Sequence, residues 1–115
     1  MRIVRQLERQ ASHDELQRAV IYEWNREKAE QNQRKHHISF DEATTVFLDP
    51  LAITFDDPDH SLNDRRFITI GMTTNQRLLF VAHADGADDR IRIISARETT
   101  RIETYEYQER RKRNH

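Results

Sequence analysis

Alternating apolar and polar residues predict a small β-sheet in this chain. Over residues 90–95 the alternation has a period of two, which is typical of a strand. Continued along the segment, it places Arg90 and Arg92 on one face and Arg97 on the other. Similar patterns, separated by turn residues, predict strands at Val20–Trp24, Leu51–Phe55, Arg66–Thr73 and Arg77–Ala84. Consecutive strands with such short links are expected to pair antiparallel.

Helical spacing and capping residues predict helices between these strands. Asn25 can cap a helix that runs through Lys28 and Lys35 and is polar on almost every face. Ser39-Phe-Asp-Glu42 is a capping box that opens a short second helix. A last helix is predicted from about Arg97 to Arg110. The fold class is therefore α+β, a small antiparallel sheet of about four strands with helices packed on one face.

The pattern divides the chain into three regions. Residues 1–19 carry apolar residues at roughly helical spacing among charged ones, which predicts an N-terminal helical extension. Residues 20–108 contain all of the predicted strands and form the main domain. Residues 109–115 form a basic C-terminal tail.

Composition narrows the class of protein. With 115 residues the chain has room for one modest core, and 36% apolar against 34% charged residues makes it a polar globular domain. The formal net charge of −1 means that any nucleic-acid site must be a local basic patch. The absence of cysteine excludes a thiolate zinc site and a cysteine nucleophile. No apolar run approaches the roughly 20 residues of a membrane helix, so we expect a cytoplasmic protein with no membrane partner.

Histidines and acidic residues are the usual candidates for a metal site, and their spacing argues against one here. His36 and His37 are adjacent in the sequence, so their side chains diverge. Asp56, Asp57 and Asp59 lie in one acidic loop but lack the spacing of a calcium-binding loop. We therefore expect a solvated loop, no metal site and no cofactor.

Cationic side chains are the stronger functional signal. Arginines stand on or at the ends of predicted strands at Arg66, Arg77, Arg90, Arg92 and Arg97. Lys28 and Lys35 project from one face of the first core helix and would extend a patch formed by these arginines. Guanidinium groups bind phosphate oxygens bidentately, which favours an RNA-binding surface. The alternative is a set of cross-strand ion pairs with nearby carboxylates, and the sequence leaves both open.

The ordered motifs of the chain resemble the BrnT toxins of type II toxin–antitoxin systems. The resemblance extends from about residue 20 to about residue 108. Its landmarks are Tyr22-Glu-Trp24, Lys28, Asn32, Lys35-His36, Ile38-Ser-Phe40, Glu42-Ala43, Phe47, Asp49-Pro50, Asp57, Asp59-His60, Arg66-Phe67, Ile70-Gly71, the segment Arg90–Arg97, Glu103 and Tyr107. The residues before Tyr22 lie outside it.

The resemblance implies a RelE-like fold and a metal-independent endoribonuclease that cleaves RNA and inhibits translation. In this class the ribose 2′-hydroxyl is the nucleophile. The resemblance also implies a BrnA-type antitoxin with a ribbon-helix-helix domain as partner, so that DNA is bound only through the antitoxin.

The same resemblance assigns roles to residues. Arg66 and Arg97 would stabilise the phosphate, Lys35 or His36 would transfer protons, and Tyr107 would contact the leaving group or a base. Two alternatives remain from the residues themselves. Tyr107 can simply pack its ring on the sheet, and His36 can be a cation at a helix C-terminus.

Three residues depart from the BrnT pattern. His37 stands where a helix-ending Gly is usual, Thr99 replaces an Ala, and Arg65 precedes Arg66 where an acidic residue is common. A guanidinium in place of a carboxylate reverses the local field. The alternative function is therefore a weakened or inactive toxin-fold protein that acts as a protein-interaction module or a homodimer.

Overall fold

The structure, a computed structural model, describes residues 2–8, 19–57, 65–86 and 88–113, with residues 2–8 and Ala19 described by their backbone alone. Its strands are β1 (Arg2–Glu8), β2 (Ala19–Asn25), β3 (Ile53–Asp56), β4 (Arg66–Met72), β5 (Leu78–Asp85) and β6 (Arg90–Glu98). Its helices are α1 (Arg26–His36), α2 (Phe40–Thr44) and α3 (Arg101–Arg113), and a 3₁₀ turn spans Thr45–Leu48. The predicted α+β class is confirmed.

The strands form one sheet in the order β1-β2-β6-β5-β4-β3. Neighbours pair antiparallel except β2 and β6, which pair parallel through Ile21–Glu23 and Arg90–Arg92. The expectation of a wholly antiparallel sheet of about four strands is therefore wrong in both respects. A short link forces two consecutive strands to run antiparallel. Most of the domain lies between β2 and β6 in the chain, so these two strands can also pair parallel.

The N-terminal segment is the second correction. Residues 2–8, predicted as part of a helical extension, form strand β1, which pairs antiparallel with β2 from Arg2 opposite Asn25 to Glu8 opposite Ala19. Residues 9–18 lie outside the described residues. Without β1, the outer edge of β2 would expose a row of unpaired backbone N–H and C=O groups. Pairing with β1 provides hydrogen-bond partners for these groups. A short isolated helix is marginal in water and offers no comparable gain.

Helices cover both faces of the sheet, not one as predicted. Alternate residues of β5 point to opposite sides, so Leu79 and Val81 pack under α1 and α2 in the main core. Phe80 faces the other way and belongs with Ile68 and Ile70 to a second cluster, which Tyr107 of α3 covers. We call the first side the α1 face and the second the α3 face.

A β-bulge in β6 changes which arginines share a face. Ala82 pairs with Ser95 and His83 pairs with Ile93, so Ile94 is an extra residue in β6. On the far side of the bulge Arg97 lies opposite Phe80, and on the near side Arg92 lies opposite Ala84. Both arginines therefore lie on the α3 face, and the predicted placement of Arg97 on the opposite face is wrong.

Asn32 explains why α1 lies along the edge of β6. Beyond Glu23, β2 no longer pairs with β6, and the buried Asn32 side chain takes its place. Its amide nitrogen donates to the carbonyl of Ala96 at 2.9 Å and its oxygen accepts from the Ala96 N–H at 3.1 Å. The same nitrogen donates to the carbonyl of Ile38 at 3.1 Å. The strand edge is thus satisfied by a side chain of α1.

The caps of the helices follow the sequence signals closely. Asn25 caps α1 and Ser39 caps α2 through their side-chain oxygens, as predicted. His37 ends α1 in the left-handed conformation, with φ 58°, where a Cβ costs roughly 1 kcal/mol. The last helix begins at Arg101 rather than Arg97, because β6 continues to Glu98 and Thr100 forms the cap, accepting from the Glu103 N–H at 3.3 Å.

Candidate nucleic-acid interface

A row of directly opposed residues crosses the α3 face. Arg66 of β4 pairs with Ala84 of β5, Ala84 pairs with Arg92 of β6, and Arg92 pairs with Glu23 of β2. With one strand between them, the Cα atoms of Arg66 and Arg92 are about 10 Å apart. Both side chains are partly buried. Two arginines thus lie on either side of Ala84 on this face.

Glu23, a landmark of the BrnT resemblance without an assigned role, ends this row. Its side chain is only 9% exposed, and its Oε2 accepts from Nη1 of Arg90 at 3.3 Å. Arg90 itself is 42% exposed. The alternation of β2, with Tyr22 and Trp24 in the main core, places Glu23 on the opposite face. Only the parallel pairing with β6 then shows that this is the face of Arg92.

Helix α1 brings three more of the predicted residues to the edge of this face. An open cleft of about 260 Å³ lies between α1 and the β6 bulge, lined by Lys28, Gln31, Asn32, Lys35, His36, Ile94 and Ser95. Ser95 pairs with Ala82 and so lies on the α3 face. Both lysines are exposed and His36 is partly buried. The predicted set Lys28, Lys35 and His36 is therefore assembled in one cleft, next to the strand that carries Arg92.

Arg97 lies on the same face but is held by α3. Its guanidinium forms a bidentate pair with Glu103 at 2.9 and 3.0 Å and stacks over the Phe80 ring at 3.8 Å. Burial pushes the pKa of Glu103 upward, but hydrogen bonds from Arg97 and from the Thr100 backbone outweigh it and hold that pKa below its usual value. In this geometry Arg97 fixes the start of α3 to β6.

Arg77 lies in an ion pair away from the row. Its Nε donates to Oε2 of Glu42 at 2.9 Å, a second nitrogen donates to Oε1, and the same group reaches the carbonyl of His37. The hydrogen bond from Arg77 lowers the pKa of Glu42, and the same bond raises the pKa of Arg77. Arg77 is therefore ion-paired, as in the alternative that the sequence left open, but its partner is a helix carboxylate and not a cross-strand one.

Tyr107 is buried, and its hydroxyl is hydrogen-bonded within the protein. It donates to Oδ2 of Asp49 at 2.7 Å, and that carboxylate also accepts from the N–H groups of Met72 at 2.8 Å and Leu51 at 2.9 Å. Burial, and then the bond to Asp49 and its charge, raise the pKa of Tyr107 to about 12. The geometry of Tyr107 favours the packing alternative.

Arg65, the main departure from the BrnT pattern, points away from the row. Its guanidinium lies 3.7 Å from Oδ1 of Asp56 and 5.2 Å from the centre of the Phe67 ring. Phe67 stacks on His83 on the α1 face. Arg65 and Arg66 therefore direct their charges to opposite sides of the sheet, and the reversed charge at position 65 lies away from Arg92.

Among the described residues, no group of three or more histidine or acidic side chains is arranged to hold a metal ion. Asp56 and Asp57 are described, and Asp59 of the same predicted loop lies outside the described residues. None of the described helices is both long and apolar enough to cross a membrane.

His83 is a buried histidine behind the β6 bulge, on the α1 face. Its ring lies 4.9 Å from that of Phe47, and its Nε2 is 2.8 Å from Oγ1 of Thr69, which in turn bonds Thr54. Nδ1 is buried and finds no hydrogen-bond partner among the described residues. Burial lowers the pKa of His83 to about 4. The imidazole is therefore neutral in the folded protein above that pH.

This pKa predicts a loss of stability in acid. Between about pH 6.5 and pH 4 the unfolded chain binds a proton that folded His83 does not, so stability falls as the pH falls through this window. The full difference amounts to roughly 3 kcal/mol. Urea unfolding at pH 7 and pH 5 should show a smaller drop for His83→Gln than for the parent. An equal drop in both proteins would assign the acid sensitivity to other groups.

An α+β fold that presents arginines on one sheet face, with lysines and a histidine along its edge, is typical of a small protein that binds nucleic-acid phosphates. The chain belongs to the BrnT family. The family model described as "Ribonuclease toxin, BrnT, of type II toxin-antitoxin system" matches residues 24–103, more than half of the chain. β1 and most of β2 precede the matched segment.

A solved structure supports the fold. The 1.1 Å crystal structure of the Brucella abortus ribonuclease toxin BrnT matches with a TM-score of 0.53 at 20% sequence identity. The match covers 68% of this chain and 94% of that chain. No curated protein matches the sequence.

Proposed function

We propose that this chain is the toxin of a type II toxin–antitoxin system, a RelE-like endoribonuclease that acts in the cytoplasm on RNA and so inhibits translation. Family membership supports the general class. The observation that carries the proposal is the row that places Arg66 and Arg92 on the α3 face, with the Lys28–Lys35–His36 cleft at the edge of the strand that carries Arg92. A chain with a net charge of −1 gains phosphate affinity through such local clustering.

The proposed reaction needs no metal, because cationic side chains supply the positive charge. The ribose 2′-hydroxyl loses its proton to a base and attacks the adjacent phosphorus, and the bond to the 5′-oxygen breaks. The products are a 2′,3′-cyclic phosphate and a 5′-hydroxyl, which takes up a proton. Arg66 and Arg92 would stabilise the charge of the pentacovalent phosphorane. Lys35 or His36 is the candidate for proton transfer, since both line the adjacent cleft.

The remaining predicted residues divide by their contacts. Arg90 is half-exposed next to Arg92, Lys28 is exposed in the adjacent cleft, and both would bind neighbouring phosphates. Arg97 and Tyr107 are held by Glu103 and Asp49. We propose that they act by fixing α3 over the sheet, so that substitution there affects activity through structure.

The test is cleavage of a defined RNA by the purified chain in excess chelator. We expect cleavage, a 2′,3′-cyclic phosphate on the product, and complete resistance of a substrate with 2′-deoxyribose at the cleaved position. Arg66→Ala, purified in the same way, controls for contaminating nuclease. Cleavage that requires added Mg²⁺, or that proceeds at the 2′-deoxy position, would contradict the mechanism. A folded parent that leaves RNA intact would contradict the activity.

The partner follows from the family class. We propose that a BrnA-type antitoxin with a ribbon-helix-helix domain neutralises the toxin, and that DNA is bound only through the antitoxin. Expression of the chain alone should arrest growth, and co-expression of such an antitoxin should restore it. Growth arrest that the antitoxin leaves unchanged would contradict this partner.

A further inference from the structure

Glu23 is a buried carboxylate with arginines as its neighbours on β6. It ends the row Arg66–Ala84–Arg92–Glu23, and its side chain is 9% exposed. Arg90 donates to its Oε2 at 3.3 Å, and Arg92 is its directly opposed neighbour on β6. Burial of a carboxylate is costly unless cations compensate it, and here two arginines are adjacent. The ion pair ties the acid to Arg90, and the β2–β6 register places Arg92 beside it on the same face.

A buried carboxylate next to two arginines restricts the orientations that their guanidinium groups can adopt. Each guanidinium has five N–H donors in a rigid plane, and a single carboxylate engages at most two of them. The remaining donors of a held group point away from the acid, and in the row Ala84 and Arg66 lie on the side of Arg92 that is away from Glu23. An arginine without such support would sample many rotamers and would have to be ordered by the substrate.

We propose that Glu23 is a positioning residue, which holds Arg90 and Arg92 so that their outer donors face a phosphate bound between Arg92 and Arg66. The inference rests on the proposed function for its substrate. It adds a residue that makes no contact with RNA and acts through the arginines.

The test substitutes Glu23→Gln, which keeps the size of the side chain and removes its charge. Glu106→Gln is the matched control, because Glu106 is exposed on α3. With a defined RNA in chelator we expect kcat to fall roughly tenfold to a hundredfold in Glu23→Gln. KM should stay level or fall, because the variant loses a negative charge near the phosphates. Equal or higher kcat would overturn the proposal.

A double substitution tests whether Glu23 acts through Arg92. In an Arg92→Ala background, Glu23→Gln should lower kcat by less than twofold further, since the arginine beside the reacting phosphate is gone and only Arg90 remains for Glu23 to hold. A full additional loss in this background would overturn the proposal. The shape of the pH–kcat profile should be the same in the parent and in Glu23→Gln. Disappearance of an acidic limb would make Glu23 the proton acceptor and not a positioning residue.

A spectroscopic measurement separates this inference from the proposed function. The side-chain Nε–H signals of Arg90 and Arg92 should be dispersed in the ¹H–¹⁵N spectrum of the free parent and should collapse to averaged positions in Glu23→Gln. Unchanged signals would show that Glu23 does not hold the arginines, whatever the activity. Signals that are dispersed in the parent and collapse in Glu23→Gln, together with a parent that cleaves no RNA, would retain the positioning role and reject the ribonuclease function.

Discussion

Arg92→Ala is expected to lower kcat for RNA cleavage by roughly two to three orders of magnitude, the effect of removing one preorganised donor to a charged transition state. Arg92 lies in the centre of the row, between Glu23 and Ala84, and Arg66 lies beyond Ala84. Its charge is therefore placed where a phosphorane between the two arginines would form. The loss should fall mainly on kcat, because the phosphorane carries more negative charge than the bound phosphodiester.

The control is Arg26→Ala, which removes the same charge from the first turn of α1. Arg26 pairs with Glu30 at 3.5 Å and lines a different cleft, with Trp24 and Phe40 of the main core. It should retain at least half of the parent activity. Arg66→Ala should resemble Arg92→Ala, and the double variant should lose less than the product of the two, because both side chains act on one phosphate. If Arg92→Ala cleaves RNA as well as Arg26→Ala does, the row is not the phosphate site.

Asp49→Ala is expected to destabilise the fold by roughly 3–5 kcal/mol, since loss of this half-buried carboxylate leaves several donors without partners. One carboxylate accepts from the N–H groups of Met72 and Leu51 and from the hydroxyl of Tyr107. It thus joins the turn after the 3₁₀ segment to β4 and α3. Urea unfolding at pH 7 measures the change as a shift of the midpoint at constant slope.

Two further variants divide this effect into its parts. Tyr107→Phe removes one of the three donors and should cost roughly 1–2 kcal/mol. The loss of stability in Asp49→Asn should lie between those of Asp49→Ala and Tyr107→Phe. An amide has one acceptor oxygen, whereas the carboxylate offers two to the same donors. Activity should fall with stability in this series and recover at lower temperature. A stable Tyr107→Phe that has lost all activity would instead support a direct catalytic role for Tyr107.

Some arginines of the predicted patch lie on the open sheet face and others pair with a helix, and their local sequence does not distinguish the two groups. Arg66 and Arg92 share a face because β4, β5 and β6 are neighbours, and this much followed from short turns and alternation. Arg77 and Arg97 carry the same side chain on equally plausible strand positions, yet each lies against a carboxylate of a helix, Glu42 or Glu103. Which arginine meets a helix depends on how the helices pack, and strand periodicity carries no information about that packing.

The sequence by itself determined the α+β class, the capped starts of α1 and α2, the strands β4 to β6 and the resemblance to BrnT. These features depend on side-chain periodicity, capping residues and short turns, all of which act over a few neighbouring residues. The tertiary structure alone decided the strand β1, the parallel pairing of β2 with β6, the bulge at Ile94 and the placement of α3. Each of these depends on backbone hydrogen bonds or packing between segments far apart in the chain, which local patterns do not specify. Glu23 lies beside Arg92 only because β2 and β6 pair.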